Sequence, residues 1–130
     1  MKVAVAIVTD EHQKVLITQR AQLAPHGGLW EFPGGKLEPN ELASSALIRE
    51  IKEEVGLEVL SYDYLGEVQH AYGQNVISLL VYHVYDYSGD AVCLEAQMGL
   101  CWVDVDSLGE FSFPAANLEI IELFKARVTA

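Results

Sequence analysis

Positive charge is scarce in this chain: eight lysines and arginines stand against 19 aspartates and glutamates in 130 residues, a formal net charge of −11. That balance excludes a protein that grips a nucleic-acid polymer or an anionic membrane through a basic face, because both need cationic side chains that displace counterions. A polyanionic ligand stays compatible only if something positive, such as a metal ion, comes between. Cysteine is scarce too. Cys93 and Cys101 fit no zinc spacing and are too few for a disulfide framework, so both are expected as reduced core residues. The apolar run Val3 to Val8 is too short for a signal-peptide core or a membrane span, which points to a cytoplasmic protein. Repeats and low-complexity tracts are lacking. What is plentiful is apolar surface, 51% of residues, enough to offset the entropy of ordering the chain. The length suits one domain over residues 1–130, expected as a monomer with a dimer as the alternative.

Val3 to Val8 and Val15 to Thr18 are β-rich runs separated by Asp10-Glu11-His12-Gln13, which predicts a hairpin. Residues 21 to 30 form a loop, and a short extended piece, Trp30-Glu31-Phe32, leads into Pro33-Gly34-Gly35. Glu41 to Val55 has no glycine or proline and ends at Gly56, which predicts a helix. Glu58 to Gln69 alternates loosely, residues 72 to 75 turn, and Val76 to Tyr85 reads as a deeply buried strand. Leu100 to Val103 predicts a further strand. Pro114 to Arg127 carries Leu118, Ile121, Leu123 and Phe124 at helical spacing, with proline in the first turn. Strands that bracket one central helix suggest an α/β (α+β) fold, an α/β/α sandwich with a mixed β-sheet.

On the central helix Glu50, Glu53 and Glu54 fall within an arc of roughly 100°. Leu47, Ile48, Ile51 and Val55 occupy the adjacent arc, expected to face the sheet, with Ala43 and Ala46 on the carboxylate side. A solvated acidic face is the ordinary reading of a glutamate-rich helix. Here, however, the anions at i, i+3 and i+4 lack regular lysine partners and repel one another. A hard divalent cation, above all Mg²⁺, would relieve that repulsion and could also contact phosphate oxygens. The wider spacing decides the matter. From Gly35, five residues lead to Glu41 and seven more to Arg49-Glu50, followed by Ile51, Lys52, Glu53-Glu54, Val55, Gly56 and Leu57. At ordinary residue frequencies this set of identities would arise by chance on the order of once in 10⁷ chains of this length.

In that pattern the chain resembles the Nudix hydrolases, which cleave nucleoside diphosphates linked to a further group and hold Mg²⁺ in a loop-helix-loop. The resemblance implies that Glu50, Glu53 and Glu54 bind metal, with the carbonyl of Gly34 as a further ligand and Mn²⁺ as a substitute ion. It makes Glu50 the candidate base, Arg49 the residue that orients the acids, and Glu95 a loop glutamate that joins them. Gly35 and Gly56 would permit the turns at each end, and Glu41 would be structural. A lone exposed acid is the ordinary reading of Glu95.

Similarity to the MutT-like 8-oxo-dGTP diphosphatases of this family runs further, through Ile17-Thr18-Gln19-Arg20, through Leu29 to Lys36, and through Phe113-Pro114-Ala115-Ala116-Asn117. It implies a substrate site of Arg20, Glu31, Phe32, Pro33, Gly34 and Asn117. Asn117 would read an oxidised guanine, a task suited to an amide that both donates and accepts. Arg20 would contact phosphates, and Phe32 would flank the base unless it is only core. His26 is one position out of register and receives no role, while His70 and His83 are expected to be structural or exposed. The implied reaction is hydrolysis of 8-oxo-dGTP to the monophosphate and pyrophosphate, which guards DNA replication against oxidised precursors. Two alternatives are a broader or CTP-preferring pyrophosphatase and a Nudix-fold module that binds without catalysis. Some pyrimidine-preferring relatives carry an acid where this chain has Asn117, and the intact glutamates speak against the binding module.

Overall fold

The computed structural model describes residues 1–25 and 27–128; His26 lies outside them. The strands are β1 (Lys2–Val8), β2 (Lys14–Gln19), β3 (Trp30–Glu31), β4 (Gly34–Lys36), β5 (Glu58–Tyr72), β6 (Asn75–Ser88) and β7 (Gly99–Asp104). The helices are α1 (Ala43–Val55) and α2 (Ala115–Val128), with a 3₁₀ turn at Val105–Glu110.

Alternation along β1 builds the layers. Ala4, Ala6 and Val8 point into one apolar cluster with Ala46, Leu47, Ile51 and Val55 of α1, while Val5 and Ile7 point into another with Ile120, Ile121 and Phe124 of α2. A strand covered on both faces reads as an unbroken apolar run, as this one does. The result is an α/β/α sandwich with a mixed sheet, ordered β4-β1-β6-β5, in which β1 pairs parallel to β6 and antiparallel to β4. A second, antiparallel sheet, β3-β2-β7, shares the middle layer, since Leu16 packs on the α1 side and Val15 and Ile17 on the α2 side.

The expected β1–β2 hairpin does not form. The turn is there, with the Asp10 carboxylate accepting the His12 and Lys14 N–H groups at 2.9 and 2.8 Å. Yet the two strands part into different sheets and retain one bridge, Thr9 to Val15. Both strands are buried on both faces, so each needs its own neighbours, and β1 finds them in β6 and β4.

Further expectations are corrected. The central helix begins at Ala43, because Asn40 has a positive φ of 63°, Leu42 is extended, and Glu41 is occupied outside the helix. Its inward face is rotated from the wheel: Ala46 is fully buried, whereas Ile48 is exposed. β6 is deeply buried only at Val81, Tyr82 and Val84, with Val76 and Tyr85 exposed near its ends. Cys93 is exposed on the loop before β7 and Cys101 is half-buried, both as free thiols. The loose alternation before residue 69 has a cause in β5 itself, where register shifts interrupt its pairing with β6 near Val59–Tyr62 and Tyr64–Gly66. α2 begins at Ala115, so Pro114 precedes the helix instead of sitting in its first turn, and Leu118 faces solvent. Among the described residues no helix is long and apolar enough to cross a membrane.

Candidate active site

β4 and α1 meet at two glycines. Gly34 pairs with Val5, and a Cβ there would collide with the backbone of Ala4. A Cβ on Gly35 would collide with the Glu50 carboxyl group, so the missing side chain is what lets that acid lie over the strand. Gly56 closes the helix in the left-handed region, φ 75°, and donates its N–H to the Lys52 carbonyl at 3.1 Å. Gly56 thus turns the chain at the helix end, whereas Gly35 leaves room for a close approach.

Arg49 gathers the acids. Its guanidinium donates to both Glu41 oxygens at 2.9 Å, to Glu50 Oε1 at 2.8 Å, to Glu53 Oε2 at 3.3 Å and to the Lys36 carbonyl at 3.1 Å. Hydrogen bonds from Arg49, followed by the Glu38 N–H, hold the Glu41 carboxyl down at about 2. The same contacts, with Glu41 foremost, keep the guanidinium charged. Glu41 therefore fixes Arg49 from outside the helix, and Arg49 fixes Glu50.

Glu54 sits deeper. Its Oε2 accepts the Gly34 N–H at 2.8 Å, yet burial pushes its carboxyl up to about 8. The Gly34 bond opposes that rise, and the charges of Glu31, Glu50 and Glu95 add to it. As placed, each helix acid engages a protein donor, and no group of three His, Cys, Asp or Glu side chains among the described residues converges to hold a metal ion. The chemistry of the donors nevertheless fits a hard divalent ion. They are all oxygens, and a buried carboxyl crowded by like charges gains from a cation.

Beside Glu54 a row of adjoining hollows, with Arg20 and Glu31 in the walls of each, forms a groove that Glu50 does not line. Arg20, Ala21, Ala24, Glu31, Glu54, Glu95 and Gln97 line its anionic end. Arg20 and Glu31 also line the next stretch, with Phe32, Gly34, Lys36, Leu79 and Asn117. Beyond lies a cavity of about 510 Å³ walled by Val3, His70, Ile77, Leu79 and Asn117. Between the two ends Arg20 Nη1 donates to Glu31 Oε2 at 2.6 Å and Arg20 Nε to the Pro25 carbonyl at 2.6 Å.

The groove thus brings together Arg20, Glu31, Gly34, Glu54, Glu95 and Asn117. Phe32 is buried and stacks on Phe113 at 5.4 Å, with one edge on the groove. Pro33 is buried; its carbonyl accepts the Ala6 N–H, and its ring lines none of these walls. Glu53 is half exposed on the far side of Arg49. His70 is part of the cavity wall, where sequence reasoning gave it no place, and Lys36, Leu79 and Gln97 were likewise missed. Lys36 directly follows the paired glycines, the one signal that could have pointed to it. His83 is structural as expected, bonded to Thr9 Oγ1 at 2.8 Å and packed on Phe124.

Residues 4–123 match the NUDIX domain family, and the chain belongs to it: it is a Nudix nucleotide pyrophosphohydrolase, an enzyme acting on phosphoric anhydrides. It is 34% identical to the CTP pyrophosphohydrolase of Escherichia coli (strain K12), over 94% of this chain and 90% of that one. It is 37% identical to the 8-oxo-dGTP diphosphatase of Proteus vulgaris, over 79% and 89%. A solved MutT structure, from work on the Aliivibrio salmonicida and Vibrio cholerae proteins, superposes with a TM-score of 0.83 at 28% identity, covering 98% of this chain and 99% of that one. Nudix hydrolases act on small-molecule nucleotides and generally need a divalent metal.

Proposed function

We propose that this enzyme hydrolyses 8-oxo-dGTP to 8-oxo-dGMP and pyrophosphate in the cytoplasm, as a monomer, and so keeps an oxidised precursor out of DNA. The observation that carries this reading is Asn117 on the wall of a cavity that shares Arg20 and Glu31 with the hollow lined by Glu54 and Glu95. A purine edge seated there meets a side chain that both donates and accepts, while its phosphates run past Arg20 toward the acids. The identity to the Proteus vulgaris enzyme supports the same substrate.

Glu50, Glu53, Glu54 and the Gly34 carbonyl are the proposed ligands of Mg²⁺, with Mn²⁺ as a substitute. When bound, the ion neutralises phosphate charge and raises the electrophilicity of phosphorus. Glu50, fixed by Arg49, takes a proton from the attacking water. The water oxygen bonds to the β-phosphorus, the bond from that phosphorus to the bridging α–β oxygen breaks, and the nucleoside monophosphate leaves. Glu95 completes the acid set from the opposite wall, and Arg20 holds phosphate oxygens in exchange for its pairing with Glu31. Phe32 contributes one ring edge beside the base, and Pro33 sets the path of the backbone into Gly34.

A second reading, a CTP-type pyrophosphatase, is favoured by the match to the Escherichia coli CTP enzyme over 94% of the chain. Steady-state kcat/KM on 8-oxo-dGTP, dGTP, CTP and dCTP with Mg²⁺ separates the two. A clear preference for 8-oxo-dGTP over dGTP is expected. Equal rates on those two, or faster turnover of CTP, would overturn the substrate assignment.

A further inference from the structure

The loop before β7 is fastened to the end of α1. Val92 N–H donates to the Val55 carbonyl and Leu94 N–H to the Glu54 carbonyl, each at 3.0 Å, so the loop satisfies carbonyls that a helix C-terminus leaves unpaired. On the other side Met98 N–H donates to the Gln19 carbonyl of β2 at 2.9 Å. Between these anchors the chain must turn at Glu95-Ala96-Gln97, and Ala96 has a φ of 60°, a conformation that a residue with a Cβ rarely adopts unaided.

One side chain spans that turn. Gln97 Nε2 donates to the Glu54 carbonyl at 3.0 Å, and Gln97 Oε1 accepts the Glu95 N–H at 2.8 Å. A single amide therefore joins the backbone of Glu95 to the backbone of Glu54, and both residues line the same end of the groove. Glutamine is suited to the task because one end donates and the other accepts, whereas a carboxylate supplies no donor. The tether has a force to resist. Glu95 faces Glu54 as a like charge, and when both are ionised such a pair swings the exposed side chain outward unless its backbone is held.

We propose that Gln97 is a positioning residue: its amide holds Glu95 against the anionic end of the groove, so that Glu95 reaches the reacting phosphates in a fixed pose. The inference rests on the reading above that Glu95 belongs to the acid set, and it is independent of which nucleotide is preferred.

The test is a double-mutant cycle on the intact enzyme with Mg²⁺ and the nucleotide it turns over fastest. The variants are Gln97→Ala, Gln97→Met, Glu95→Gln and the pair Glu95→Gln with Gln97→Met. Gln97→Met keeps the length and volume of the side chain, so it carries the test if the alanine variant folds poorly. Each Gln97 variant is expected to lower kcat about tenfold with KM changed less than about threefold, and the pair to be no slower than Glu95→Gln alone. Unchanged kcat in the Gln97→Met variant, or losses at the two positions that multiply, would overturn the inference while leaving Glu95 in the acid set. Wild-type turnover by Glu95→Gln would remove Glu95 from that set and overturn the inference with it. Failure of the substrate assignment would show separately, in the nucleotide panel.

Discussion

The acidic end of the site draws Gly34, Gly35, Glu50 and Glu54 from one short stretch of chain and adds Arg20, Glu95 and Gln97 from elsewhere, whereas the far end takes its walls from Val3, Leu79 and Asn117, which the fold brings together from distant segments. The first end is held by short polar contacts: an arginine on three helix-side acids, and a backbone N–H on the deepest acid. The second is held by packing, with β1 and β6 supplying apolar walls and α2 bringing one amide. Chemistry common to a whole family suits a rigid local unit. Recognition of one base suits walls that can change one residue at a time without disturbing the acids.

That division can be broken at either end. The largest loss is expected for Glu50→Gln, which should lower kcat by about 10²- to 10⁴-fold if it is the base. Gly35→Ala should approach the same loss without altering any charged group, because its methyl displaces the Glu50 carboxyl. Circular dichroism with steady-state kinetics checks both, and a fully active Gly35→Ala enzyme would refute the close-approach argument. At the far end Asn117→Ala should lower the preference for 8-oxo-dGTP over dGTP by about 10- to 100-fold, the worth of a paired hydrogen bond to a base edge, while most turnover survives. Competition assays with the two nucleotides read this directly.

Smaller effects concern stability. Glu54 has a folded-state carboxyl raised to about 8 against an ordinary value of 4.5, so the unfolded chain releases its proton first and stability falls as pH rises through that window. Thermal melts in a chelator should therefore decline for wild type between those limits and stay flatter for Glu54→Gln, with added Mg²⁺ restoring the wild type. Glu41 has the opposite sign. Its value is depressed to about 2, so its stabilising contribution is present above 4.5 and is lost as pH falls toward 2. Glu41→Gln should remove that part of the acid sensitivity and slightly loosen Arg49, which melts across pH 2 to 6 would detect as a shallower profile.

The contrast between the two ends also explains what the sequence could tell. Arg49, Glu50, Glu53 and Glu54 stand at fixed spacings on one helix, so their proximity follows from helical geometry, while Gly34, Gly35 and Glu41 join them through the short chain that leads into it. The layered fold was legible from the doubly apolar β1 and from the helix after it. The parting of β1 from β2 was not, because a turn signal says where the chain reverses and nothing about which strand it then pairs with. His70, Ile77 and Leu79 could not be read as cavity walls for the same reason: only the pairing of β5 with β6, and of β6 with β1, brings them there. Gln97 was missed because its importance lies in two backbone contacts that leave no pattern in side-chain spacing.

Ala4 and Ala6 on β1 and Ala46 on α1 are all fully buried where helix and strand meet, while the opposite face of β1 carries Val5 and Ile7. The first residues of β1 that face α1 are therefore smaller than those that face α2, and the small ones are on the catalytic side. The Gly34 N–H of β4 reaches Glu54 on the helix at 2.8 Å, across a contact where three buried side chains stop at a methyl group. Adding bulk at residue 4, 6 or 46 would cost about 1–3 kcal/mol in overpacking, and it would also lift the acids off the strand. The depth of this active site is a dimension set by alanines that never touch the substrate.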